Sequence, residues 1–280
     1  MLGPHHTPPT GPAGTAAELT GTATELTLVR HGRTGWHSEN RYAGASDVPL
    51  DEVGHAQAAA LARWAAEHPH DVVACSPLRR ARQTAAPVSA ALGLAPEVVP
   101  ALREMDFGVA EGRTLDELRA RDPEAVAAFL ADPMRHPFPG AEPPDAVAHR
   151  VLGGLRALAQ RHPGRSVLVI GHNTALRLAL CGWLGIPLAQ YRDVLPRLDN
   201  AAVTRLRVPA DTARPPALLC LNVPTAAQPA LALNEPTAAE PTLAPNGPAA
   251  RTLAPNGPAE QTNGSIPDPV PHPSTTRRTR

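Results

Sequence analysis

Apolar residues in this chain fall into short runs that alternate with longer segments of helical spacing, a pattern of strands and helices taken in turn. Residues 24–29 are rich in Leu, Val and Thr and predict a short strand buried on both faces of a parallel sheet. Residues 51–67 place Val53, Ala56 or Gln57, Ala60, Leu61 and Trp64 at helical spacing, and Pro69 closes that helix. A second apolar strand, 71–75, runs into Ser76-Pro77, a hydroxyl cap followed by proline that predicts a helix to Leu92 and Gly93. Leu78, Ala81, Ala85, Val88 and Leu92 form its buried stripe, leaving Arg79, Arg80 and Arg82 on other faces. Residues 96–100 are extended, and 115–130 are helical with a break at Pro123. The five prolines of 132–144 make a loop, 145–161 is a helix stopped by His162-Pro163-Gly164, and 166–170 is the clearest strand. A helix over 174–184 and an alternating edge strand over 200–208 complete the pattern. It predicts an α/β fold: a three-layer sandwich, with helices on both faces of a mostly parallel central sheet.

Composition sets the boundaries. Residues 209–280 hold 15 of the 34 prolines and none of the eight aromatic residues. Such a segment buries too little apolar surface to offset its ordering entropy, so a mostly disordered tail is expected there, with a strand at 217–223 left open. An octapeptide, Thr-Leu-Ala-Pro-Asn-Gly-Pro-Ala, occurs twice in the tail, at 242–249 and 252–259, too short a repeat for a solenoid. Residues 1–23 are similarly biased and lack the basic start and apolar core of a signal peptide. A single folded domain over 24–208 is the expectation.

Charge and cysteine content narrow the setting. The 26 basic residues, all Arg, balance 26 acidic ones, so neither nucleic acid nor an anionic membrane is an expected partner. Cys75, Cys181 and Cys220 have no metal-like spacing and fit a reduced, cytoplasmic location.

Chemistry gathers at the strand ends, where ligands collect in open α/β sheets. The first strand ends in Arg30-His31-Gly32, the second in Ser76-Pro77 with Arg80 close behind, and the fourth in Gly171-His172-Asn173. Arginine recognises phosphate in a planar, bidentate way, and a neutral imidazole is a nucleophile near neutral pH. Glu104 and Asp106, two residues apart, are candidate proton carriers. The other histidines, His55, His68, His70, His136, His149 and His162, share no geometry and are assigned to solvated surface rather than to a metal.

Residues 28–34 (Leu-Val-Arg-His-Gly-Arg-Thr), 76–85 (Ser-Pro-Leu-Arg-Arg-Ala-Arg-Gln-Thr-Ala) and 171–173 (Gly-His-Asn) together resemble the histidine phosphatase superfamily, in its phosphoglycerate mutase-like branch of broad-specificity phosphatases. The resemblance covers roughly residues 25–208. It implies that His31 is the phosphoryl-accepting nucleophile, that Arg30, Arg80 and His172 surround the transferring group, and that Glu104 donates the proton. It further places Thr34, His37, Gly44 and Asn173 near the phosphate. His37 stands where many relatives carry Asn, and an imidazole there, once protonated, would add positive charge opposite a phosphate dianion. The implied activity is a metal-independent phosphomonoesterase without cofactor, acting on a small phosphorylated metabolite, with a homodimer as the assembly to test. A mutase is the rival within the family, but mutase relatives follow the acidic Glu with Arg and Tyr-Gly, whereas Glu104 precedes Met-Asp-Phe-Gly. A non-catalytic binding protein using a Pro-rich tail is the rival from another class; it would be favoured by loss of His31, Arg80 or His172, and all three are present.

Overall fold

The computed structural model describes residues 23–211 and 214–225; the N-terminal extension, the tail beyond 225 and its duplicated octapeptide lie outside them. In chain order the elements are β1 (Thr24–Arg30), α1 (Gly35–Ser38), α2 (Glu52–Glu67), β2 (Val72–Cys75), α3 (Arg79–Leu92), β3 (Glu97–Val98), α4 (Leu115–Arg121), α5 (Pro123–Ala131), α6 (Pro144–Arg161), β4 (Ser166–Gly171), α7 (Asn173–Leu184), α8 (Tyr191–Val194), β5 (Val203–Val208) and β6 (Ala217–Val223).

The six strands form one sheet in the order β3-β2-β4-β1-β5-β6. Pairings β3-β2, β2-β4 and β4-β1 are parallel, and β1-β5 and β5-β6 are antiparallel. Side-chain alternation splits the core between two faces. Leu26, Leu28, Val167 and Val169 pack with Val147, Val151, Leu155 and Leu158 of α6 and with α7. Val29, Leu168 and Ile170 pack on the other face with Leu61 and Ala65 of α2 and with Ala81, Ala85 and Val88 of α3. The fold is therefore the expected α/β sandwich.

Three local expectations change. The sheet continues past Val208: β6 pairs with β5, so β5 is interior and β6 is the edge. Val53 is exposed, and α2 instead buries Gly54, Ala58, Leu61, Ala62 and Ala65. The reason lies at Gly54, where a Cβ would fall 2.0 Å from the Arg33 carbonyl oxygen; the helix sets this glycine against the Arg33 backbone. Finally, α3 starts at Arg79 with Leu78 as its N-cap and no side-chain cap, the Ser76 hydroxyl lying instead 2.7 Å from His172 Nε2.

Candidate active site

Register brings the three motifs together. In the parallel ladders Arg30 lies beside Gly171, and Ile170 beside Cys75. The next backbone amides extend the pattern, from His31 N to Gly171 O (3.0 Å) and from Ser76 N to Ile170 O (2.9 Å). Residues distant in sequence thus leave the sheet at one level, and His31, Ser76, Arg80 and His172 are all buried there.

Two contacts define the state of His31. Its Nδ1 lies 2.7 Å from the Gly32 carbonyl oxygen, which can only accept, so Nδ1 carries the hydrogen. Its Nε2 lies 3.2 Å from Arg80 Nε, which can only donate, so Nε2 holds a lone pair. Burial first, then the charges of Arg80 and its other neighbours, hold the His31 pKa well below the usual imidazole value. The result is a neutral imidazole with its lone-pair nitrogen beside a fixed cation.

Arg80 is itself held by carbonyl groups. Nη1 donates to Ser46 O (2.8 Å), and Nη2 to Ala43 O (3.1 Å) and Gly44 O (2.8 Å). That loop is fastened from behind by the Glu111 carboxylate, which accepts from the amides of Gly44, Ala45, Ser46 and Phe107 and from the Ser46 hydroxyl. Gly44 has no room for a side chain, since a Cβ would meet Met105 O at 2.1 Å. Its part is close packing and a carbonyl to Arg80.

Arg30 Nη1 donates to Leu198 O (2.7 Å), and Nη2 lies 2.7 Å from His37 Nε2. The Asn173 side chain accepts from Leu198 N (2.9 Å), and Asn200 Nδ2 donates to His31 O (2.7 Å). Asn173 therefore secures the segment that grips Arg30. His37 Nδ1 lies 2.8 Å from the Thr34 hydroxyl. Arg30 Nη2 and the Thr34 backbone amide (3.0 Å from Nδ1) both only donate, so His37 meets a donor at each ring nitrogen and a second ring proton would be opposed on either side. Burial and then Arg30 lower the His37 pKa to about 3. In the ligand-free site His37 is therefore neutral and adds no positive charge of its own beside Arg30.

Glu104 is buried, and its carboxylate accepts from Met105 N and Ala175 N (both 2.8 Å) and from Thr174 N (3.0 Å). Those last two amides belong to the first turn of α7, directly after His172 and Asn173. Burial raises the Glu104 pKa despite the opposing pull of these amides and of Arg80, so the acid form persists to higher pH than for a free carboxyl. Arg150 anchors the same segment through Ala101 O (2.7 Å) and Arg103 O (2.9 Å), with Glu142 as its bidentate partner. Asp106 instead accepts from Gly108 N (2.8 Å) within its own turn.

His172 Nε2 lies 2.7 Å from Ser76 Oγ, and its ring centroid is 5.1 Å from that of His31. Ser76, Glu111, Asn200 and Arg150 are site-building residues without an assigned role in the sequence reading. Ser-Pro looked like a helix cap, and the others have no local signature because their partners are distant in the chain. Trp36 packs over Gly112. Among the peripheral histidines, His70 is half-buried on the Thr27 hydroxyl and His162 pairs with Glu97. A groove of about 680 Å3 beside α3 is lined by Arg79, Arg82 and Cys75 but by neither His31 nor His172. Burial pushes the Cys75 thiol up to about 11, so it is not a ready nucleophile. Among the described residues no group of three or more His, Cys, Asp or Glu side chains could hold a metal ion, and no helix is long and apolar enough to cross a membrane.

Fold and site together define an α/β protein that presents an uncharged imidazole among arginines at the carboxyl edge of its sheet. The family described as the histidine phosphatase superfamily (branch 1) matches residues 26–219, and the chain belongs to it. It is 39% identical over 173 residues to the bifunctional protein Rv2228c of Mycobacterium tuberculosis, covering 61% of this chain but only 47% of that protein, about half its length. It is 33% identical over 169 residues to phosphoserine phosphatase 1 of Hydrogenobacter thermophilus, covering 60% of this chain and 79% of that one. Among solved structures, a mycobacterial glucosyl-3-phosphoglycerate phosphatase, Rv2419c, determined with VO3, superposes with a TM-score of 0.65 at 28% identity, over 71% of this chain and 99% of that one.

Proposed function

We propose that the protein is a metal-independent phosphomonoesterase that hydrolyses a small phosphorylated metabolite through a phosphohistidine. The observation that carries this reading is the tautomer of His31, with Nδ1–H on the Gly32 carbonyl and the Nε2 lone pair beside Arg80. Nε2 attacks phosphorus, the bond to the ester oxygen breaks, and Glu104 gives its proton to that oxygen. Water then attacks the phosphohistidine, Glu104 takes a proton back, and the nitrogen–phosphorus bond breaks to release phosphate. Arg30 and Arg80 supply fixed positive charge where the transferring group gathers negative charge on its equatorial oxygens. The phosphatase names of the relatives from H. thermophilus and mycobacteria support hydrolysis. So does the Met-Asp-Phe-Gly that follows Glu104, unlike the sequence of mutases.

Brief reaction with a phosphoester panel in the presence of chelator tests the reading. The expected result is release of inorganic phosphate and an acid-labile, base-stable label on His31, both abolished in His31→Ala. Turnover by His31→Ala at the wild-type rate would overturn the mechanism, and return of the phosphoryl group to an organic acceptor in place of water would identify a mutase.

A further inference from the structure

We propose that Ser76 is a positioning residue that sets the tautomer of His172: its hydroxyl donates to His172 Nε2, so that Nδ1 carries the hydrogen and donates to a phosphoryl oxygen. The inference rests on the phosphoryl-transfer reading of the site, but its geometry stands apart from turnover.

Both residues are fully buried, and the Oγ to Nε2 distance is 2.7 Å. A hydroxyl and a neutral imidazole nitrogen can share a hydrogen bond in either direction. Ser76 Oγ already lies 3.3 Å from Leu78 N, a group that only donates. If Nε2–H donated as well, the serine would accept twice and its own hydrogen would have no acceptor among the described residues. With the hydroxyl donating to Nε2, Ser76 accepts from Leu78 and gives to His172, and every hydrogen on that side is used. The consequence falls on Nδ1, which is buried and has no hydrogen-bond partner among the described residues. A buried donor left unmade costs about 1–3 kcal/mol, a cost removed by an acceptor that enters the site. The opposite tautomer would set a bare lone pair against phosphoryl oxygens that have none but lone pairs to offer.

The charges around His172 favour the same neutral ring. Arg80, Arg30 and Arg150 all bear on it, and burial holds its pKa well below the usual value. A neutral imidazole has one hydrogen to place, so the choice between its nitrogens decides whether His172 is a donor or a repellent neighbour to the substrate. Ser76 makes that choice because β2 ends one residue earlier, at Cys75, whose ladder partner Ile170 stands two residues before His172.

The test is 15N-resolved NMR of the histidine side chains in the phosphate-free protein, with His172 assigned through His172→Asn. The expected spectrum has His172 Nδ1 protonated and Nε2 unprotonated. In Ser76→Ala the ring shifts toward the Nε2–H form, and the inhibition constant for inorganic phosphate rises by about tenfold to a hundredfold, the loss of one hydrogen bond to a charged group. Ser76→Thr keeps the hydroxyl and restores both the spectrum and the phosphate affinity. A wild-type ring protonated on Nε2, or a Ser76→Ala protein with unchanged tautomer and phosphate affinity, overturns the proposal. Failure to hydrolyse any phosphoester would overturn the functional reading instead, while the spectrum would still decide the role of Ser76.

Discussion

Arg80 Nε lies 3.2 Å from His31 Nε2, so the cation that would receive a phosphoryl oxygen is held on the lone pair that would attack phosphorus. In the proposed reaction this contact would couple binding to reactivity. Any change that moves Arg80 alters both the charge in the site and the field that keeps His31 neutral.

Glu111 is the remote end of that coupling, because it fixes the loop whose carbonyls hold Arg80. Glu111→Ala leaves three loop amides without their acceptor, and a loss of about 2–4 kcal/mol of stability is expected. The kcat/KM should fall at least tenfold, while Glu111→Gln keeps one acceptor oxygen and loses less. Steady-state kinetics with thermal melts measure both; unchanged kcat/KM in folded Glu111→Ala would detach the loop from Arg80.

Glu104 combines a carboxyl pKa raised by burial with three backbone donors. In Glu104→Gln an amide nitrogen replaces one acceptor oxygen and the transferable proton is lost. Alkyl phosphates should slow far more than aryl phosphates, whose leaving groups depart unprotonated. Equal slowing of both substrates would place the proton donor elsewhere.

Four histidines, His31, His37, His70 and His172, have lowered values in the folded protein. Below about pH 6.5 the unfolded chain takes up protons on these rings that the folded chain refuses. Stability is therefore fully present above that pH and is lost as the pH falls, and the melting temperature should drop between pH 7 and 5. Glu104 acts in the opposite sense, its contribution being lost as the pH rises from the unfolded carboxyl value near about 4.3 toward its raised folded value. His37→Asn removes one of the four rings and should flatten the drop. Its affinity for inorganic phosphate should follow the same pH profile as wild type, because His37 does not charge in this range. A steeper melting profile in His37→Asn, or a separate acid-side gain in wild-type affinity, would contradict this.

Truncation tests where the folded part ends. Asn222 on β6 exchanges hydrogen bonds with Asp199, from Asp199 N (2.7 Å) and to Asp199 Oδ2 (3.0 Å), and Asp199 lies between Leu198 and Asn200. Those two residues hold Arg30 and the His31 backbone. A chain ending at Val208 should melt on the order of 5–10 °C lower than one ending at Thr225 and show a higher KM. Equal melting and KM would make β6 dispensable.

The sequence alone determined the alternation of strands and helices, the sandwich of helices about a sheet, and the three motifs at strand ends. Those signals are local: apolar periodicity, prolines and glycines act within a few residues, and Arg30-His31-Gly32 is legible as a unit. The edge was misplaced at β5 because Ala217–Val223 sits in a Pro-rich context, and only pairing with β5 reveals it as a strand. Tertiary structure alone decided the state of each side chain. His37 has the same composition whether it is exposed and titratable or pressed against Arg30, and the difference lies in a distance of 2.7 Å. Ser76 and Glu111 likewise acquire their parts from residues 96 and 65 or more positions away, His172 and the loop at 44–46. Hydrogen-bond direction and desolvation depend on which groups meet in space, and a linear pattern does not encode that until the chain has packed.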